Sequence, residues 1–170
     1  GGDRPVPGGL PVSELNSPAD VADLVAVIDA ALERFHEEHQ IVLAVDRGTA
    51  DDTCFGEPRW YVRMAGEEKD VITVWLTLGQ RTLRYETYVM PAPEQNVAEF
   101  NDQLLRRNDS MVGAHFSIGA EDAVYLRGEL VDAAVRADEV DRILGTLYAT
   151  VEQVFRPLLR IGFASRVVDR

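Results

Sequence analysis

Apolar and polar positions alternate in three consecutive stretches near the middle of the chain, and helical spacing takes over on either side. Before them, Val21, Leu24, Val25, Ile28, Leu32 and Phe35 recur every three or four residues and predict an amphipathic helix. Ser17, Pro18 and Asp20 are its start signal: a Ser cap, Pro at the first helical position and an acid three residues after the cap. The helix should end near His39. The unbroken apolar run 41–45 fits either the end of this helix or the start of a strand. Residues 47–58, with Gly, Asp and Thr, read as a loop.

Residues 59–64 form the first alternating stretch, with Trp60, Val62 and Met64 on one face. Residues 71–78 put Ile72, Val74, Leu76 and Leu78 opposite Thr73, Trp75 and Thr77. Residues 82–90 follow the short Gly79-Gln80 connection and oppose Leu83, Tyr85, Thr87 and Val89 to Arg84, Glu86, Tyr88 and Met90. Pro91 and Pro93 end the run and lead into a second helix over 94–107, with a narrow stripe of Val97, Phe100 and Leu104 and with Leu105 beside it. A second hairpin pairs 114–118 with 123–131. Asp138 caps a last helix whose broad face is Val140, Ile143, Leu144, Leu147, Val151, Val154 and Phe155. Pro157 should kink or break it. The expected fold is α+β, in the order α-β-β-β-α-β-β-α: a five-stranded antiparallel sheet with helices mainly on one face. Leu24, Ile28, Val74, Leu76, Phe116, Leu126, Leu144 and Leu147 should share one core. Residues 1–16, rich in Gly and Pro, read as a flexible N-terminal arm, and 17–170 as a single domain. Gly1 and Gly2 stand where a methionine would, so the native N-terminus is expected to differ.

Charge narrows the partners. The 170 residues carry 29 acids against 17 Lys and Arg, for a net charge of −12. That sign repels nucleic-acid phosphates and anionic membranes, so neither is expected as a partner. No apolar run approaches the roughly 20 residues of a membrane span. Cys54 is the single cysteine. It rules out an intrachain disulfide and fits a reducing, cytoplasmic setting.

Candidate chemistry is thin. His36 and His39 are three apart, whereas a zinc peptidase helix needs four with a Glu after the first, so they read as polar residues at an exposed helix end. Asp46, Asp51 and Asp52 lack the calcium-loop pattern. No Gly-rich loop joins a strand to a helix, and His115, Ser110 and Ser117 suggest no triad. Cys54 sits among acids, which would not lower its pKa. No metal or cofactor is expected. Arg106 and Arg107 read either as complements to the negative end of the second helix or as an anion-binding pair, with Asn108 as the C-terminal cap. The outer sheet face is more suggestive. If Val74 and Leu76 face the helices, Trp75 faces away, and Tyr61, Tyr88 and Tyr125 join it among Arg59, Arg63, Arg84, Glu86, Arg127 and Glu129. Tyr61, Trp75, Tyr88, Tyr125 and Arg127 are therefore candidates for binding a partner, being residue types favoured in interface hot spots. The plainer reading is cross-strand aromatic pairing on a solvated sheet.

Several motifs in order, WYVRMAGEEKDVITVWLTLGQRTLRYETYVMPAPEQNVAEF, LLRRN, AHFSIGAEDAVYLRGEL and DRILGTLYATVEQVFRPLLRIGFAS, cover most of residues 60–165. Through them the chain resembles the YbjN family, its actinobacterial branch most closely. That family is described as sensory transduction regulators, with a fold similar to type III secretion chaperones. The resemblance implies a non-enzymatic, protein-binding domain of chaperone-like or regulatory type and carries no catalytic residues. It also implies a homodimer. The narrow stripe of the second helix suggests where, with Val97, Phe100, Leu104 and Leu105 meeting a symmetry mate. A small-molecule or anion sensor, with an enclosed polar pocket between sheet and helices, is the alternative. A grooved sheet face would favour protein binding.

Overall fold

A computed structural model describes residues 18–167. The arm at 1–16 and the Ser17 cap lie outside them. In chain order the elements are α1 (Pro18–Glu38), β1 (Val42–Arg47), β2 (Arg59–Ala65), β3 (Val71–Leu78), β4 (Thr82–Met90), α2 (Val97–Ser110), β5 (His115–Ile118), β6 (Val124–Val131) and α3 (Ala137–Gly162). All strands pair antiparallel, in the order β1-β2-β3-β4-β6-β5. The α+β reading holds, with six strands where five were expected.

The sixth is β1. Its register with β2 slips between Val42 and Ala44, which leaves Leu43 half exposed in a bulge. A bulge breaks the period-two pattern by which strands are recognised, so the run looks featureless in sequence. The remaining strands follow their alternation. Trp60, Leu76 and Tyr85 lie side by side on the inner face, as do Val62, Val74, Thr87, Leu126 and Phe116. The apolar members pack under the helices in one core cluster with Ile28, Leu144 and Leu147, Leu24 packs against its margin, and the buried Thr87 hydroxyl donates to the Thr73 carbonyl at 2.7 Å. α3 crosses β3 and β4, α1 lies between α3 and β1, and α2 flanks α3 and β5.

Three helix expectations need correction. α3 starts at Ala137 with Arg136 as cap, so Asp138 belongs to its first turn. It also runs through Pro157. Val151 and Val154 before the proline and Leu158 and Gly162 after it are all buried, and that packing offsets a helix-interior proline's cost of about 3 kcal/mol. α2 runs from Val97 to Ser110 rather than over 94–107, so Asn108 is inside the helix and not its cap.

α3 also holds the β2–β3 turn. The Glu152 carboxylate accepts the backbone N–H groups of Glu67, Glu68 and Lys69 at 2.8, 3.0 and 3.3 Å. Tyr148 donates to the Ala65 carbonyl at 3.0 Å, and Arg156 meets Glu68 at 2.7 Å. Gly66 allows this approach, because a Cβ there would stand 2.0 Å from the Lys69 carbonyl oxygen and 2.5 Å from Glu152. The turn in turn sets Lys69 over the Tyr88 ring, 5.1 Å from its centroid, with its ammonium donating to the Tyr88 carbonyl.

Burial lowers the Lys69 pKa from 10.5 to about 8. Between those values the unfolded chain holds a proton that the folded chain has released, so this group makes stability rise with pH over that window. Lys69→Met should remove the rise. The stability difference between the wild type and this variant should change by on the order of 1 kcal/mol from pH 7.5 to 9.5, allowing for solvent screening. Urea melts at the two pH values check it. The melts stay below pH 10 because burial raises the phenols of Tyr85, Tyr88 and Tyr148, which make stability fall with pH above that.

Candidate functional site

Strand register turns the outward residues into rows across the sheet. One row runs Asp46, Tyr61, Trp75, Glu86, Arg127, His115, one residue from each strand. A second holds Arg59, Thr77, Arg84 and Glu129. Beside the first, on the same face, lie Arg63 and Thr73 of β2 and β3 and Tyr88, Tyr125 and Ser117 of β4, β6 and β5. All five residues expected to bind a partner are therefore on one face, and each is half buried.

The rows are tied together laterally. Tyr61 meets Trp75 edge-on at 6.5 Å between centroids, and Tyr88 meets Tyr125 edge-on at 5.6 Å. Such pairs contribute about 0.5–1.5 kcal/mol beyond their burial. The Arg127 guanidinium lies over the Tyr125 ring at 4.3 Å, donates to Glu86 at 2.6 Å and reaches the Ser117 hydroxyl at 3.3 Å. Each contact fixes a rotamer, so the face is pre-organised.

An open concavity of about 710 Å³ crosses this face. Arg59, Thr77, Arg84, Glu86, Arg127 and His115 line it, and Tyr85, Gly113 and Gly128 also border it. Gly128 lets β6 pass close to the other two: a Cβ there would come within 2.2 Å of the Gly113 carbonyl and 2.5 Å of the Tyr85 ring. The loop between β1 and β2 adds a rim. Its Asp52 carbonyl accepts from Arg59 at 3.2 Å, and its Glu57 pairs with Arg84 at 3.2 Å. Glu57 and Lys69 carry no local signal of a site, because only the folded loops bring them to this face.

The remaining candidates are not brought together. Arg106 is exposed and pairs with Asp102 at 2.7 Å, four residues earlier in α2. Arg107 lies in the last turn, half buried, with its Nε out of solvent. On α2, Phe100 and Leu104 are buried in the protomer's own core, whereas Leu105 is 70% and Val97 50% exposed. Phe100 is thus unavailable to a symmetry mate while it stays there. Among the described residues no three His, Cys, Asp or Glu side chains group closely enough to hold a metal ion. Among them, too, no helix is long and apolar enough to cross a membrane.

Comparison with known proteins adds a family and relatives. The family model YbjN, "Putative bacterial sensory transduction regulator", matches residues 24–160. Uncharacterized proteins of Mycobacterium tuberculosis and Mycobacterium bovis are each 36% identical over 110 residues, which is 65% of this chain and 60% of theirs. An uncharacterized protein of Mycobacterium leprae is 28% identical over 142 residues, 84% of this chain and 73% of that protein. The chain thus spans only 60% of the length of the relatives it matches at 36% identity.

Proposed function

This chain belongs to the YbjN family, and on that footing we propose that it is a non-enzymatic protein-binding domain of chaperone-like or regulatory type, with its partner on the outer sheet face. The observation that carries this is the cross-strand row Tyr61, Trp75, Glu86, Arg127 with its edge-on aromatic pairs and stacked arginine. Aromatic and arginine side chains already held in place lose little entropy on docking, which is what an interface anchor needs. The concavity supports a groove for a chain segment rather than a reaction centre, since its lining offers no nucleophile beside a base. It is also open rather than enclosed between sheet and helices, which weighs against the sensor reading. A cytoplasmic location, in keeping with the single Cys54, and a partner that is neither nucleic acid nor membrane, in keeping with a charge of −12, belong to the same reading.

The test compares proteins captured from the native host by the wild type and by a Tyr61→Ala, Trp75→Ala variant. A partner held by the wild type and lost by the variant supports the reading. An identical set held by both moves the site off this face.

The homodimer is proposed through the two exposed residues of α2, Val97 and Leu105, with Phe100 and Leu104 anchoring the helix beneath them. Sedimentation at micromolar concentration should give twice 18.9 kDa. Val97→Glu with Leu105→Glu should return the monomer without unfolding, because both side chains are exposed. A monomer throughout sinks the dimer. A dimer that survives the double variant moves the interface, with the Trp75 face next in line.

A further inference from the structure

The outer face does not share the charge of the chain. The protein carries −12 overall, yet the face presents Arg59, Arg63, Arg84 and Arg127 against Asp46, Glu86 and Glu129. Two ion pairs use part of this charge, and among the described residues Asp46 and Glu129, like Arg59 and Arg63, have no ion-pair partner. Glu86 is spent on Arg127 at 2.6 Å, and the rim residue Glu57 faces Arg84 at 3.2 Å. Arg59 uses its guanidinium on the Thr77 hydroxyl at 2.9 Å and on the Asp52 carbonyl, neither of them a carboxylate. Arg63 is exposed and makes no ion pair among the described residues. Lys69, over the Tyr88 ring, adds one more cation to the same face.

Position makes these charges specific. Arg59 and Arg63 stand two residues either side of Tyr61 on β2, about 13 Å apart at the usual rise of a strand. Between them lies the edge-on Tyr61–Trp75 pair, and Trp75 is flanked on its own strand by the small Thr73 and Thr77. The result is an aromatic, rigid platform with a guanidinium that lacks a carboxylate partner at each end, and with Asp46 beside Tyr61 at its β1 edge. An extended chain running along β2 would repeat that spacing, with side chains i, i+2 and i+4 on one face.

Resting on the reading of this face as a partner surface, we propose that its occupant is an extended acidic segment of a protein. Its carboxylates meet Arg59 and Arg63, and an aromatic or apolar residue between them lies on Tyr61 and Trp75. Arginine suits the role because its planar fork binds a carboxylate through two donors. The acidic choice runs against the bulk charge, which would by itself attract a basic partner.

A random glutamate–tyrosine copolymer, a lysine–tyrosine copolymer and an oligothymidylate serve as probes, each titrated at low salt while tryptophan emission is recorded. Trp60 is 1% exposed on the inner face, so a response that disappears in Trp75→Phe reports the outer face. The glutamate copolymer should quench Trp75. Arg63→Glu should weaken this at least tenfold, and Arg63→Lys should retain most of it. Arg63 is exposed, so neither change threatens the fold. Quenching by the lysine copolymer instead would keep the face as a docking surface and overturn the acidic occupant. Preference for the oligothymidylate would overturn the choice of a protein segment. Quenching by the glutamate copolymer that is unchanged in Arg63→Glu would overturn the role of the arginines. No Trp75 response to any of the three would overturn both the acidic segment and the face that was to hold it.

Discussion

Replacing Leu76 by Ala should lower the unfolding free energy by roughly 2–5 kcal/mol, through lost burial and the cavity left behind. Leu76 is fully buried at the middle of β3, between Trp60 of β2 and Tyr85 of β4, and belongs to the core cluster beneath the helices. Neither large neighbour can collapse into the space without leaving its own contacts, which favours the upper part of that range. Trp75 is the adjacent residue on the other side of the sheet. Trp75→Ala removes an edge-on aromatic contact and the partial burial of the Trp75 side chain, and should cost less, about 1–3 kcal/mol. Denaturant melts of the two variants thus test which face of the sheet carries the stability. A loss below about 0.5 kcal/mol for Leu76→Ala, with a large one for Trp75→Ala, would put the strand phase off by one.

That contrast is legible in the alternation of residue types alone. Val74, Leu76 and Leu78 alternate with Thr73, Trp75 and Thr77, and burial follows the alternation on all but Thr77, which the Arg59 side chain covers. The membership of Tyr61, Trp75, Tyr88, Tyr125 and Arg127 in one face follows from the same periodicity. Their arrangement does not. Alternation states which side a residue takes, and only register states its neighbour, so the order Tyr61, Trp75, Glu86, Arg127 comes from strand pairing.

The features that local pattern does not reveal share a physical cause: their partners are distant, or the pattern itself is broken. β1 hides behind its bulge at Leu43. Glu152 caps a turn more than eighty residues earlier, and no local signal in α3 distinguishes it from a solvated acid. Phe100 and Leu105 are five residues apart on α2, yet one is fully buried and the other 70% exposed. A narrow stripe on a polar helix does not say which of its members the protomer will claim. Charge misleads in a similar way, because a net −12 says nothing about a face on which arginines outnumber acids.

Asn108 shows the same limit and carries the second large expectation. It reads as a helix cap, because Asn tolerates the conformation a cap needs. In the fold it lies inside α2, and its side-chain amide takes both backbone groups of Phe116, accepting the N–H at 2.7 Å and donating to the carbonyl at 3.1 Å. β5 is the last strand of the sheet. Its outer edge is therefore closed at Phe116 by an amide that stands in for the next strand's peptide, a device against edge-to-edge pairing. Asn108→Leu keeps the bulk and the helix propensity but leaves a part-buried N–H and carbonyl without partners. At about 1–3 kcal/mol for each group left unsatisfied, reduced by partial access to water, the loss should be about 2–4 kcal/mol. Asn108→Asp should fall between, since a carboxylate still accepts the N–H but repels the carbonyl. Deuterium exchange at the Phe116 amide should speed up in both variants, and Asn108→Leu should associate more strongly as concentration rises, now that the edge is open. Urea melts within about 0.5 kcal/mol of the wild type, with Phe116 exchange unchanged, would mean that water or a shift of α2 replaces the amide and that Asn108 does not guard this edge.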